Sequence, residues 1–419
     1  MSPPAVQVLL GFGTTINLGN YFVLDRDTLG NTTNTLAPDT VMIDVSQWLY
    51  GPLSITRGRS REVDAFQAGS ASFTLHNEDR RFDPTNTASP YYPGVVPKAP
   101  VSISIAGRQV YGGYVDTYDV LYRKPNIVDL NVSALDGFSL LSLTRLQAAT
   151  FAQESSGTRI TNVLARPEVN YTDITVIDAG QMTMQGSTQD NVGALDHCQV
   201  IAASEAGYFF VDNSGTLTFK DKTWLSQRLA TYPQGRATFT DTGVAYAGLA
   251  YGYTDITLTM GTVLLFNRCE GSRSGGTRQI ANDAASQAQY GIRALSLPQL
   301  ENYQDIDVLG ICGVFVDRYK QPEVRFSNVV IELSGLSLAQ QELLSDLDIG
   351  SIVIAERTPP GGGTPARITQ TAAIEQMTWT LDVASSSYRL TLALRNTAGH
   401  AGLVLNDASL GLLDTGKLA

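Results

Sequence analysis

Residues 57–86 read RGRSREVDAFQAGSASFTLHNEDRRFDPTN, and in them a weakly charged chain concentrates its charge. Arg57, Arg59, Arg61, Arg80 and Arg81 stand with Glu62, Asp64, Glu78, Asp79 and Asp83, and no Lys is among them. Between the two charged ends lies SASFTLHN, which alternates Ala71, Phe73 and Leu75 with Ser72, Thr74 and His76. A period of two is the signature of a strand with one buried face. A solvated surface draws freely on Lys and Glu. An all-Arg set offers rigid planar forks that match carboxylates two bonds at a time and suit interfaces. The expectation is a short strand whose ends carry balanced ion pairs, within the chain or against a neighbouring subunit.

Outward from this stretch the strand signals continue. VSISIAGRQVYGGYVDTYDV sets Val101, Ile103 and Ile105 in register and resumes at Val110 and Tyr111 past a Gly107 turn. IVDLNVSAL repeats the alternation less cleanly. Short alternating strands punctuated by Gly, Pro and Asn predict an antiparallel sandwich or barrel over residues 41–150. DPTNTASPYYPGVVPKAP, with five prolines, reads as a long ordered excursion from it. Residues 1–40 are read as an N-terminal arm.

Residues 151–235 read as an α/β unit. DGFSLLSLTRL just before it has helical spacing behind Asp136. STQDNVGALDHCQVIAASEAG predicts a helix with Val192, Leu195, Cys198, Ile201 and Ala202 as its apolar stripe, caps at Ser187 to Asp190, and Gly207 at its end. A hairpin turning at Asn213-Ser214-Gly215 follows. Residues 236–400 read as a second β domain with short helices near Asn282–Tyr290, within Glu301–Val308, and at Ser337, where Gln340 completes capping-box spacing. Residues 401–419 read as a docking segment, because VLNDASLG (404–411) echoes VLDRDTLG (23–30). The fold class is therefore mainly β (α+β) and multi-domain, with smaller α/β and β inserts.

Composition limits function. The 419 residues are 43% hydrophobic, and 29 basic residues face 40 acidic ones, a net charge of -11. Binding to nucleic-acid phosphates needs a concentrated basic surface, so an acidic chain is expected to let a polyanion pass. MSPPAVQVLLGFG lacks a basic n-region and reads as no signal peptide, and no apolar run is long enough to span a membrane. Cys198, Cys269 and Cys312, odd in number and far apart, suggest reduced thiols.

Catalytic motifs are not found. His76, His197 and His400 have no metal-ligand spacing. Asp196-His197-Cys198 are consecutive on a helix and point about 100° apart, which places Cys198 in the core and His197 on the polar flank. GFGTTINLG lacks the phosphate-loop pattern, and SRSGGTR (272–278) reads as a solvated loop able at most to hold an anion. Glu78-Asp79 and Asp305 with Asp307 read as exposed charges. No enzyme, cofactor or metal is expected. Pro359, Pro360, Gly361, Gly362 and Gly363 read as an exposed tip between strands.

ITRGRSREVDAFQAGSASFTLHNEDRRFDPTNTASPYYPGVVPKAPVSI resembles the opening domain of minor tail proteins of long, non-contractile-tailed bacteriophages. ALDHCQVIAASEAGYFFVDNSGTLTFKD resembles their next domain, and LLSDLDIGSIVIAERTPPGGG with LVLNDASLGLLDTGKLA their C-terminal part. The resemblance implies a tail-hub fold, in which two β-barrel domains akin to tail-tube subunits are joined by α/β and β inserts. It implies a homotrimer at the virion tail tip, made in the host cytoplasm. Its partners would be the distal tail protein, tail tube, tape-measure protein and other minor tail proteins or fibres. DNA would pass through without specific binding, and no membrane insertion is implied. The alternatives are a hexameric distal tail ring and a receptor- or carbohydrate-binding tip protein. On the hub reading the ten charged residues are subunit-contact candidates.

Overall fold

A computed structural model describes residues 3–13, 40–123, 127–242, 250–382 and 385–397. The 23–30 and 404–411 echo, the 401–419 docking segment and His400 lie outside the described residues.

Alternating apolar sequence becomes one hydrogen-bonded network of 14 strands, and the chain is mainly β. In chain order the strands are β1 (Val6–Gly13), β2 (Thr40–Asp44), β3 (Leu49–Gly58), β4 (Gln67–His76), β5 (Pro100–Ile105), β6 (Arg108–Arg123) and β7 (Ile127–Leu135). There follow β8 (Thr238–Thr240), β9 (Ala250–Gly252), β10 (Asp255–Met260), β11 (Val324–Glu332), β12 (Ile352–Arg357), β13 (Ile368–Asp382) and β14 (Ser387–Asn396). Hydrogen bonds run β9-β8-β12-β13-β3-β4-β7-β6-β5-β1-β2, and β14 branches from β13 to carry β11 and β10. Only β8, with β9 and β12, pairs in parallel among these. The path does not close on itself among the described residues. Val6–Gly13, within the stretch read as an arm, is a full sheet member, because Val8, Leu10 and Phe12 alternate into the core.

Phe12, Ile55, Phe73, Val101, Phe239 and Trp379 share that core, so both β regions are built on one apolar cluster. Each fully buried side chain of this size stabilises by about 1.5–3 kcal/mol. A helix at Leu338–Ser345, closed by the expected Ser337/Gln340 capping box, adds Leu344 to it.

A second core belongs to the α/β lobe, where helices Ser156–Leu164 and Ala194–Glu205 pack with a sheet of Thr175–Ile177, Leu217–Lys220 and Tyr208–Val211. The helix expected from Ser187 begins at Ala194. Ser187–Gln189 and Val192–Gly193 instead pair with Ala149–Phe151 and Arg145–Leu146, and the latter strand also cuts the preceding helix to Phe138–Ser142. Ala206, at φ 55°, makes the left-handed cap. Gly207 serves a different need: a Cβ there would stand 2.4 Å from the Lys220 carbonyl oxygen.

The third core is small. Arg268–Arg273 lies between Gln279–Asn282 and Ala294–Leu300, and the helix Asp305–Tyr319 covers them. That helix is longer than the stretch Glu301–Val308 suggested. Its apolar run with two glycines, VLGICGVFV, masks the helical period.

The layout turns on β13. Residues 368–373 pair with β12, and residues 376–382 pair with β3 along the same edge, while β14 holds the other edge. The register slips between Ile374 and Gln376, which makes Glu375 the extra residue of a bulge at the change of partner.

Candidate functional site

The opening charged stretch divides at this bulge. Arg57, next to last in β3, is a buried side chain, 2% exposed, bonded to Asp348 at 2.8 Å and to the Val211 carbonyl at 3.4 Å. Asp348 also accepts from the Asn213 amide at 3.0 Å, so Arg57 ties the α/β hairpin to the sheet. One residue later Gly58, at φ 108°, brings its backbone against Glu375: a Cβ would stand 2.1 Å from the Glu375 carbonyl oxygen. Only glycine suits both the angle and the approach.

Arg59 donates to Glu375 Oε2 at 2.6 Å and to the Asp64 carbonyl at 3.1 Å, with its guanidinium 4.4 Å from the centre of the Phe66 ring. Arg395, on β14, reaches Glu375 Oε1 at 3.2 Å and Glu62 Oε2 at 2.5 Å, and donates to the Tyr208 hydroxyl at 2.5 Å. Glu62 further faces Arg318 at 3.1 Å and Arg325 at 4.0 Å. Burial pushes the Glu375 carboxyl up, but the Arg59 and Arg395 charges outweigh it and hold it below the usual carboxylate range. Burial would weaken the charge on Arg395, yet Tyr208, Glu62 and Glu375 raise its pKa well above the ordinary value. Arg318, desolvated and next to Arg395, is lowered. The cluster joins the loop after β3, strands β13 and β14, the α/β lobe through Tyr208, and the small lobe through Arg318.

A small cavity lies on each side of it. One, about 150 Å³, runs between Glu62, Phe66, Gln199, Tyr208 and Phe315. The other, about 140 Å³, lies between Arg61, Arg325, Asn328 and Leu394. Both fall below the roughly 300 Å³ at which organic ligand sites begin.

The remaining members pair locally, and most of them lie at the surface. Arg61 pairs with Asp64 at 2.7 Å, with side chains 51% and 32% exposed. Arg80 donates to Asp83 at 2.8 Å and Arg81 to Asp79 at 2.5 Å, while Glu78 is exposed. Asp83 is buried, which opposes its charge, yet bonds from Thr85 and the Tyr122 hydroxyl hold its carboxyl far below the usual range. These local pairs fold the proline-rich excursion back. Phe82 and Tyr91 stack with Phe12 of β1 at 6.3 and 4.6 Å, and Arg81 lies 4.3 Å from the Trp48 ring. The ten charges thus make no single surface. Arg57 and Arg59 are buried and paired within the chain, so they have no face to offer a neighbouring subunit.

Gly361, Gly362 and Gly363 are exposed at positive φ in the β12–β13 connection beside Pro359 and Pro360, and the Thr358 amide anchors its base on Asp241 at 2.8 Å.

His197 departs from the polar flank expected of it. It is 2% exposed and stacked on Phe151 at 5.6 Å, and burial, with Arg159 nearby, lowers its pKa to about 4. Cys198 is buried as expected, and desolvation pushes its thiol up to about 12. The pair is therefore a neutral imidazole and an un-ionised thiol, unlike an activated nucleophile and its base. In SRSGGTR, Arg273 is held by Asp305 at 2.5 Å and Arg278 by Glu270 at 3.2 Å. No group of residues suited to a metal ion occurs among the described residues, and none of their helices is long and apolar enough to cross a membrane.

The sequence reading missed Glu375, Arg395, Arg318 and Asp348, which lie hundreds of residues from Arg57. One signal was available: Glu375 directly follows the apolar run Ala372–Ile374, all of it buried, in AAIEQMTWTL. Asp136, read as standing ahead of a helix, accepts from the Phe138 amide at 3.0 Å and also from the Gly69 amide at 2.6 Å; it is buried, and burial lifts its carboxyl to about 7.

No family model matches the sequence, and no curated protein does. Solved structures do match. The 43 kDa tail protein of prophage MuSo2 from Shewanella oneidensis superposes with a TM-score of 0.58 at 12% identity, over 94% of this chain and 98% of that one. A tail protein from Neisseria meningitidis MC58 superposes with a TM-score of 0.54 at 11% identity, over 94% of this chain and 96% of that one. At such low identity the likeness is one of fold, and it extends almost end to end. This chain has the fold of those tail proteins.

Proposed function

We propose that the chain is a structural subunit of a phage tail and that it stands at the tail-tip hub. The observation that carries this reading is the fold likeness to two tail proteins over 94% of the chain. Finer features rest on the junction. Two β regions share β13 and are fixed by buried ion pairs, so each copy presents them at one set angle. Three such copies would fill six tube-like positions of a ring with three-fold symmetry. The surface charges Arg61, Asp64, Glu78, Asp79, Arg80 and Arg81 are the subunit-contact candidates, and the Pro359–Gly363 tip is a contact for a further tail component. In this role the chain is a framework rather than a catalyst. Its neighbours would be the tail tube, distal tail protein, tape-measure protein and fibres of a long, non-contractile tail, and its acidic balance would let DNA pass.

The test is the copy number and symmetry of the chain in purified tails, imaged end-on and averaged. Three copies in a pseudo-six-fold ring are expected. Six copies would move the chain to a distal adaptor ring, and copies outside the ring would favour receptor binding.

A further inference from the structure

The small lobe hides two thiols that face each other. Cys269 lies on the central strand Arg268–Arg273, and Cys312 lies midway along the helix Asp305–Tyr319 that covers it. Alternation puts Cys269 and Gly271 on the same face of the strand. That face meets the helix: a Cβ on Gly271 would stand 2.7 Å from Val308 Cγ1 and 3.0 Å from Cys312 Sγ. The missing side chain lets strand and helix close together, and Cys269 comes opposite Cys312. Both are 0% exposed in a core of only six buried apolar side chains. Each thiol is the main influence on the other's titration, raising the Cys269 pKa and lowering that of Cys312. Cys198, by contrast, is buried in the separate core of the α/β lobe.

We propose that Cys269 and Cys312 form a reversible disulfide, closed by a low-molecular-weight disulfide, that staples the helix to the sheet of the small lobe. The inference is independent of the tail reading. The Cys312 thiolate attacks one sulfur of the reagent, forming a mixed disulfide and expelling one thiolate, which takes a proton from water. Cys269, losing its proton to solvent, attacks the Cys312 sulfur and expels the second thiol. The protein loses two S–H bonds and gains one S–S bond, and the reagent is reduced to two thiols. Because both sulfurs are buried, the first attack waits on local opening of the helix.

The test uses the purified full chain, incubated with glutathione disulfide until hydrogen exchange of the Asp305–Tyr319 peptide shows that the helix has opened. Remaining thiols are then alkylated in denaturant and the protein is mapped by mass spectrometry. The expected product lacks two hydrogens, links the Cys269 and Cys312 peptides, carries alkylated Cys198, and reverts with dithiothreitol. Oxidation should slow exchange of the helix amides roughly 30- to 1,000-fold, the range of a stabilising cross-link. In Cys312→Ser both remaining cysteines should be alkylated. Three alkylated thiols, glutathione adducts alone, or a disulfide that includes Cys198 would each overturn the proposal.

Discussion

Replacing Glu375 with Gln tests whether the buried ion cluster closes the seam between the two β regions. Gln keeps the shape and one acceptor but removes the charge that Arg59 meets at 2.6 Å and Arg395 at 3.2 Å. Arg59, 8% exposed, is then a buried cation without a counter-charge. Breaking such a pair from one side costs about 3–5 kcal/mol, far more than the pair adds over an apolar substitute. At 1.36 kcal/mol per decade, that cost speeds opening of the seam roughly 150- to 5,000-fold. The seam pairs Gln376–Asp382 with Pro52–Gly58, so peptides from those segments should exchange their amides faster by that factor in native-state hydrogen exchange. Arg61→Ala, which breaks an exposed pair in the same loop, should leave their exchange nearly unchanged. The double variant Arg59→Met, Glu375→Gln should recover part of the lost protection, because the orphaned cation is gone. Equal protection of the seam in wild type and Glu375→Gln would refute the reasoning.

Asp136 and His197 should pull stability in opposite directions with pH. The Asp136 pKa is raised to about 7, so its contribution is full below about pH 4 and is lost as pH rises through 7, about 4 kcal/mol in all. The His197 pKa is lowered to about 4, so its contribution is present above 6.5 and is lost as pH falls through 4, about 3 kcal/mol. Between pH 4 and 6.5 the two nearly cancel. Asp136→Asn should therefore give a thermal midpoint that climbs with pH in that window, and His197→Phe one that falls; equal slopes in both variants contradict the assignment. Arg80→Ala with Arg81→Ala should weaken ring assembly while the isolated chain keeps its circular-dichroism spectrum, and normal tails from that variant remove these residues from the contact. Deleting Gly361 to Gly363 should leave the fold intact and lower infectivity, and full infectivity would make the tip a plain connection.

Local rules carried the sequence reading wherever structure is local. The period-two pattern of SASFTLHN is β4, the Asn213-Ser214-Gly215 turn joins two strands of the α/β lobe, and Ser337 caps its helix as spaced. Short strands that pair across tens of residues, such as Ser187–Gln189 with Ala149–Phe151, carry too few residues for a period, and by sequence Ser187 to Asp190 offer only helix caps. The charged stretch was legible as a site of ion pairing, but its partners were not. Arg59 finds Glu375 only because β3 takes over the edge of β13, bringing together partners 316 positions apart in the chain. The role of His197 was misjudged for a related reason. At helical spacing it stands beside Ala194 and Ile201, both buried, and Phe151, on a different element, stacks on its ring.

The shared strand also decides how the molecule answers a pull. Residues 376–382 of β13 and 52–58 of β3 are antiparallel along their whole overlap. Force that draws the two β regions apart along the strand direction is resisted by every bond of that overlap together, as in shear. Force at right angles breaks the same bonds one at a time from an end. The clamp of Arg59 on Glu375 sits at one such end, beside the Gly58 approach, where peeling would start. The protein should be mechanically stiff in one direction and yielding in the other, with the bulge marking where it first gives way.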